Sequence, residues 1–176
     1  MKFAIITHVI HGKELGNYFG YEPYVREMNL WIKNVSEVLL VAPIHSSQKS
    51  PIQEYYQHQK ITLVPVANFD ISSFKNSLHS LIVMPSIVWK IYQTMKRAEH
   101  IHLRCPGNIG LLGCLVQVLF PSKPKTAKYA GNWDLSSKQP MSYRFQKWIL
   151  SNTFLTKNIQ VLVYGEWETS TKNIKP

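Results

Sequence analysis

The chain has 176 residues, 45% of them hydrophobic, which is enough for one globular domain with its own core. Its formal net charge of +10, with only two aspartates, Asp70 and Asp134, favours phosphate-rich partners or an anionic membrane surface over acidic ones. Two cysteines, Cys105 and Cys114, exclude a disulfide framework, and with no C-x-x-C metal spacing they point to buried thiols in a reducing cytoplasm.

The opening MKFAIITHVI reads as a first strand, Phe3 to Ile6, rather than a signal peptide, because its apolar run is short and broken by His8. Pro23 to Lys33 follows as an amphipathic helix, with Val25, Met28, Leu30, Trp31 and Ile32 near helical spacing and Glu22 and Pro23 suited to its first turn. Val38 to Val41 and Ile61 to Val66 lack helical period and read as strands. From Ile71 a stripe through Phe74, Leu78, Leu81 and Ile82 runs to Pro85, where a helix should kink or restart. Ile87, Val88, Ile91, Tyr92 and Met95 continue it to Lys96 and Arg97, cations suited to a final turn. Strands are predicted at His100 to Arg104, Thr126 to Ala130 and Ile159 to Tyr164, and helical stripes near Asn108 and over Met141, Phe145, Trp148, Ile149 and Leu155. The apolar run Leu111 to Phe120 is too short to span a bilayer. Such alternation predicts a three-layer, Rossmann-like α/β domain over residues 1–164, its sheet mostly parallel with helices on both faces. Gly165 to Pro176 loses the apolar pattern and reads as a linker.

In an open parallel sheet, ligands bind where loops leave the carboxyl ends of the strands. Three loops there have unusual composition. His8 to Pro23 holds Gly12, Gly16 and Gly20 among His11, Lys13 and Glu14. The glycines permit close backbone approach, although their spacing is not a dinucleotide fingerprint. At HIHLRCPGNIGLLG, His100, His102 and Arg104 alternate along one strand face before Pro106 and Gly107 turn into a helix near Asn108. Gly107, Gly110 and Gly113, three apart, bare a helix face for packing on the sheet. Arg104 then stands at the cleft end, either facing a ligand or held in a structural ion pair. His100 and His102 lack a third metal ligand, and Cys105 lacks a nucleophile signature, so no metal is expected. At YAGNWDLSSKQP, Asn132 and Asp134 flank Trp133. The ring is either a platform for a sugar face or the hydrophobic plug of a turn.

The set HVIHGKE, YVREMNLW, HLRCPGNIGLLG, KYAGNWD, SYRFQKWILSNTFL and VLVYGEW, in this order, resembles the N-terminal half of a bacterial family 4 glycosyltransferase of GT-B architecture, over essentially the whole chain. The resemblance implies an acceptor-binding domain facing a donor-binding domain, and transfer from a nucleotide-sugar donor with retention of configuration. No metal or other cofactor would take part. It implies a cytoplasmic enzyme of cell-surface polysaccharide synthesis with a carbohydrate or lipid-linked acceptor. Lys and Arg interleaved with Trp and Tyr add an expected peripheral contact with anionic lipid at the inner membrane face, and scattered basic residues without a recognised binding motif predict no nucleic-acid partner. The resemblance makes Arg104 the candidate catalytic residue. The candidate acceptor-binding set is His11, Gly12, Lys13, Glu14, Arg104, Asn108, Asn132, Trp133 and Asp134. No donor-binding half precedes Pro176, so the expectation is one half of an enzyme, inactive alone, with 165–176 leading toward the other. The alternative is a non-catalytic module of the same fold that holds a sugar or nucleotide.

Overall fold

The computed structural model describes residues 1–46, 48–68, 74–134, 137–165, 167 and 171–176, and the side chains of 74–81 stand outside that description. A seven-stranded sheet is built from β1 (Lys2–Ile6), β4 (Glu37–Ala42), β6 (Ile61–Pro65), β7 (His100–Cys105), β8 (Lys125–Tyr129), β9 (Ile159–Leu162) and β10 (Ile174–Lys175). Its order is β10-β9-β8-β7-β1-β4-β6, and every pairing is parallel. Among the described residues the α-helices are α1 (Glu22–Ile32), α2 (Phe74–Arg97), α3 (Asn108–Val116) and α4 (Met141–Ser151), with a 3-10 turn at Gln117–Leu119. The predicted three-layer, Rossmann-like α/β fold is the one observed.

Alternation along the strands divides the core in two. Phe3, Ile5, Val38 and Leu40 face α1, meeting Tyr24, Val25, Met28 and Ile32. Ala4, Ile6, Leu39, Val41, Ile101, Leu103, Ala127 and Val161 face the other way, under α2, α3 and α4. Each large aliphatic side chain buried here contributes about 1.5–3 kcal/mol, so both faces of the sheet are held at β1 and β4. Toward β8 and β9 the α1-side face turns polar, and Lys128 lays its ammonium over the Tyr164 ring at 4.2 Å.

Three expectations change, and at Pro85 one of two alternatives, the restart, falls away. Residues 8–23 are not an open loop. His11–Glu14 (β2) and Asn17–Tyr21 (β3) form a hairpin, and Gln53–Tyr55 (β5), from the crossover between β4 and β6, adds a third antiparallel strand. The turn residues Leu15 and Gly16 both have positive φ, 49° and 86°, which matches the right-handed twist of a tight two-residue hairpin. Pro85 lies inside α2 without ending it, because Ile87, Ile91 and Met95 anchor the following turns in the core. The expected start at Ile71 and the stripe residues Phe74, Leu78 and Leu81 fall outside the described residues or side chains.

The tail is more than a linker. Val161 and Val163 donate their amides to the carbonyls of Asn173 and Lys175, so β10 closes the sheet edge with Ile174 buried. Helix α4 is rotated relative to its apolar stripe, of which Ile149 stays inside and Met141, Phe145 and Trp148 turn outward, and it buries Gln146, Lys147 and Leu150 as well. Lys147 can be inward because its ammonium donates to the carbonyls of Asn132, Trp133 and Asp134, at 3.4, 3.4 and 2.6 Å.

Helix α3 lies tight on the sheet, as the glycine spacing predicts. A Cβ at Gly110 would sit 2.5 Å from the Arg104 carbonyl oxygen, and one at Gly113 would sit 3.0 Å from Leu103. Gly110→Ala should therefore push α3 off β7 and destabilise the fold by about 1–3 kcal/mol, read as a lowered urea midpoint with an unchanged m-value.

Candidate functional site

The carboxyl ends of β1, β7 and β8 meet along one rim. Past β1, Thr7 continues the pairing by donating its amide to Val41 O at 3.1 Å, and His8 follows. Past β7, the cis Cys105-Pro106 bond and Gly107 lead into α3. Past β8, the Ala130 amide donates to Cys105 O at 2.7 Å, and Gly131 packs on Pro106. Gly107 is required for a steric reason, since a Cβ there would lie 2.5 Å from His8 Nδ1. The His8 ring therefore lies directly against the backbone at the amino end of α3, where amide dipoles favour ligand oxygens. Gln146 on α4 fixes that backbone by accepting the Gly107 amide at 3.3 Å.

Arg104 is held in an ion pair. Its Nη1 donates to Glu27 Oε2 on α1 at 2.7 Å, its side chain is mostly buried, and the guanidinium lies 5.4 Å from the Tyr24 ring centroid. Burial, then the Arg104 charge, lowers the pKa of the neighbouring His8. His8 is half-buried, and its Nδ1 has no hydrogen-bond partner among the described residues. Because that Nδ1 is closed off against Gly107, a ligand hydroxyl would reach the neutral imidazole through Nε2, which can accept its hydrogen bond. Burial raises the Tyr24 hydroxyl pKa to about 12, so it too stays neutral.

The predicted residues separate into groups. Arg104, Asn108 at the start of α3 and Asn132, exposed beyond β8, belong to the rim. His11 is 1% exposed. Its Nδ1 contacts Val9 O at 2.7 Å and its Nε2 contacts Tyr56 Oη at 2.9 Å, which makes it a core group of the hairpin base rather than an acceptor-binding one. Gly12 makes room for the Phe19 ring, not for a ligand. Lys13 and Glu14 lie up to three extended residues, about 10 Å, further along β2. Lys13 sits over Tyr18, and Glu14 accepts the Tyr55 hydroxyl. Trp133, 3% exposed and edge-on to Tyr129 at 5.1 Å, is the turn's plug and offers no platform. The Asp134 amide donates to Asn132 Oδ1 at 2.9 Å, closing that turn.

His100 and His102 both contact Thr126 Oγ1, at 3.1 and 2.9 Å, and Phe3 stacks on each ring. No group of three His, Cys, Asp or Glu among the described residues is arranged to hold a metal ion. Cys105 and Cys114 are buried with their sulfurs 3.7 Å apart. Their mutual contact, then burial, raises the Cys114 pKa well above normal, so the pair packs and does not attack.

Two contributors, Glu27 and Gln146, escaped sequence reasoning, and a third, His8, opened a candidate loop without being singled out as a site residue. Glu27 lies three residues after Tyr24, and an acid bordering the inner stripe Tyr24, Val25, Met28 and Ile32 was a usable signal. His8, two residues past the end of the first strand and so at its carboxyl tip, carried another. Nothing local marked Gln146, a polar residue inside a helix.

Comparison with known protein families and with curated proteins returns no match. Two measurements test the electrostatics of the buried imidazoles and of the Arg104 ion pair. Burial holds His11 at a pKa of about 4 and His102 at about 3, below their unfolded value of about 6.5. The unfolded chain then binds the extra protons, so stability present above pH 6.5 is lost as pH falls toward 4, by up to about 1.4 kcal/mol per pH unit for each group. Urea titrations at stepped pH should show that slope, and His11→Gln or His102→Gln should each remove its share. Glu27→Ala, which leaves the Arg104 guanidinium unpaired, should lower stability by about 1–3 kcal/mol, and adding Arg104→Met should restore much of it.

Proposed function

We propose that the rim around His8, Gly107 and Asn132 binds the hydroxyl groups of an acceptor sugar, free or lipid-linked. The chain would then be the acceptor-side half of a glycosyltransferase of GT-B architecture, working in cell-surface polysaccharide synthesis. A nucleotide-sugar donor would be held by a second domain and its sugar transferred with retention, without a metal. The reading rests on the family resemblance of the motifs and on one observation. A neutral, half-buried histidine is pressed against the amino end of a helix at the strand ends of a parallel sheet, the place where α/β proteins hold ligands.

Roles follow from the geometry. His8 accepts the hydrogen bond of the acceptor hydroxyl and orients its oxygen toward the donor. Arg104 acts through His8. Clamped by Glu27, its fixed charge helps keep the imidazole unprotonated, so it is a positioning residue and not the group that touches the reacting atoms. Asn132 offers its side-chain amide to a second hydroxyl.

Saturation-transfer NMR with a panel of hexoses, hexosamines and short oligosaccharides tests this on the chain as it stands. Binding with a Kd on the order of millimolar is expected for at least one sugar, weakened roughly tenfold by His8→Ala, the loss of one or two hydrogen bonds. A panel without saturation transfer, or binding indifferent to His8→Ala in a folded variant, would refute the reading.

A further inference from the structure

The net charge is not spread evenly. Residues 1–70 hold six Lys and Arg and six Asp and Glu, whereas residues 71–165 hold twelve of the cations and only two carboxylates, Glu99 and Asp134. The second segment carries α2, α3 and α4, which lie side by side on one face of the sheet with α3 between the others. Neither carboxylate belongs to these helices. Glu99 lies at the start of β7, beside the amino terminus of the chain, and Asp134 lies in the loop after β8.

The outward surface of these helices is unusually apolar. Trp89 on α2 is 61% exposed, Trp148 on α4 is 55% exposed, and Met141, Phe145, Leu115 and Leu119 are exposed as well. Phe145 and Trp148 stack on each other at 5.7 Å, outside the core. Between α2 and α3 runs an apolar groove of about 540 Å³, lined by Pro85, Val88, Trp89, Tyr92, Val116 and Leu119. Helix α4 turns Gln146 and Lys147 inward and its aromatics outward, the reverse of a helix that meets only water on its outer side. Exposed cations border the apolar groups, with Lys96 and Arg97 ending α2, Arg144 between Met141 and Trp148, and Lys138 just before α4.

We infer that the outer face of α2, α3 and α4 docks on an anionic lipid bilayer, with Trp89, Phe145 and Trp148 at the headgroup boundary and Lys96, Arg97, Lys138 and Arg144 against lipid phosphates. Indole and phenyl rings beside long cationic side chains suit that boundary, because the rings and methylene stems enter the apolar zone while the charges reach phosphate. Charge selects this occupant. The patch carries cations at the end of α2, on α4 and just before it, and no carboxylate on any helix that forms it, so a second copy would meet its own charge, whereas an anionic surface is complementary. This is contact with a surface and not insertion across it, since no helix among the described residues is long and apolar enough to cross a membrane.

Cosedimentation with phosphatidylcholine vesicles, and with vesicles containing about one third phosphatidylglycerol, tests the assignment. The chain should partition to the anionic vesicles, and brominated acyl chains should quench its tryptophan fluorescence. Trp89→Ala with Trp148→Ala should abolish most partitioning without changing the circular dichroism. Arg144→Glu should weaken partitioning by roughly tenfold or more, while Lys128→Glu, an equal change of net charge on the opposite sheet face, should weaken it far less. Absence of partitioning, equal loss in Arg144→Glu and Lys128→Glu, or a self-association removed by the tryptophan substitutions would each overturn it.

Discussion

Helix α3 approaches β7 so closely that the Gly110 backbone leaves no space for a methyl group above the Arg104 carbonyl, and the layers on either side take their places from that contact. With α3 pressed down, Leu103 and Ile6 fill the space at Gly113, and Ile109, Leu112 and Cys114 enter one continuous core with α2 and α4. The same descent brings the amino end of α3 to the level of the strand tips, where Gly107 meets His8. Core packing and rim geometry are thus two ends of one nine-residue helix.

Buried polar groups are satisfied here mainly by backbone carbonyls. Lys147 staples the loop after β8, and Lys123 donates to the carbonyls of Met95, Lys96 and Ala98 at the carboxyl end of α2. Lys125 donates to Phe120 and Lys123 carbonyls, and burial lowers its pKa to about 8. With so few carboxylates available in this half of the chain, lysines bind helix ends and loop carbonyls, which carry partial negative charge. Arg104 is the exception, and its partner comes from α1, in the half where acids and bases balance.

The rotation of α4 links these themes. An apolar stripe predicts the inner face of a helix only if the polar residues between its members have nowhere to bond inside. Gln146 and Lys147 have such partners, the Gly107 amide and three loop carbonyls. Once they turn inward, helical geometry forces Phe145 and Trp148 outward. The groups that secure the rim therefore also place aromatic rings on the outer surface.

Residue order alone was sufficient for six of the seven strands of the main sheet, the helix over Pro23 to Lys33, the α/β class and the glycine spacing that seats α3, because each depends on periodicity and sterics within a few residues, whereas β10 was read as part of a linker. It left open whether Arg104 faced a ligand or an acid and whether Trp133 was a platform or a plug. It read residues 8–23 as a loop, because the third strand of that small sheet comes from more than thirty residues further on. Only the tertiary structure paired Arg104 with Glu27, set His8 under Gly107, buried His11 and Trp133 and rotated α4. Those outcomes depend on which groups distant in the chain arrive at the same point, and a buried polar atom accepts whichever partner the packed layers bring to it.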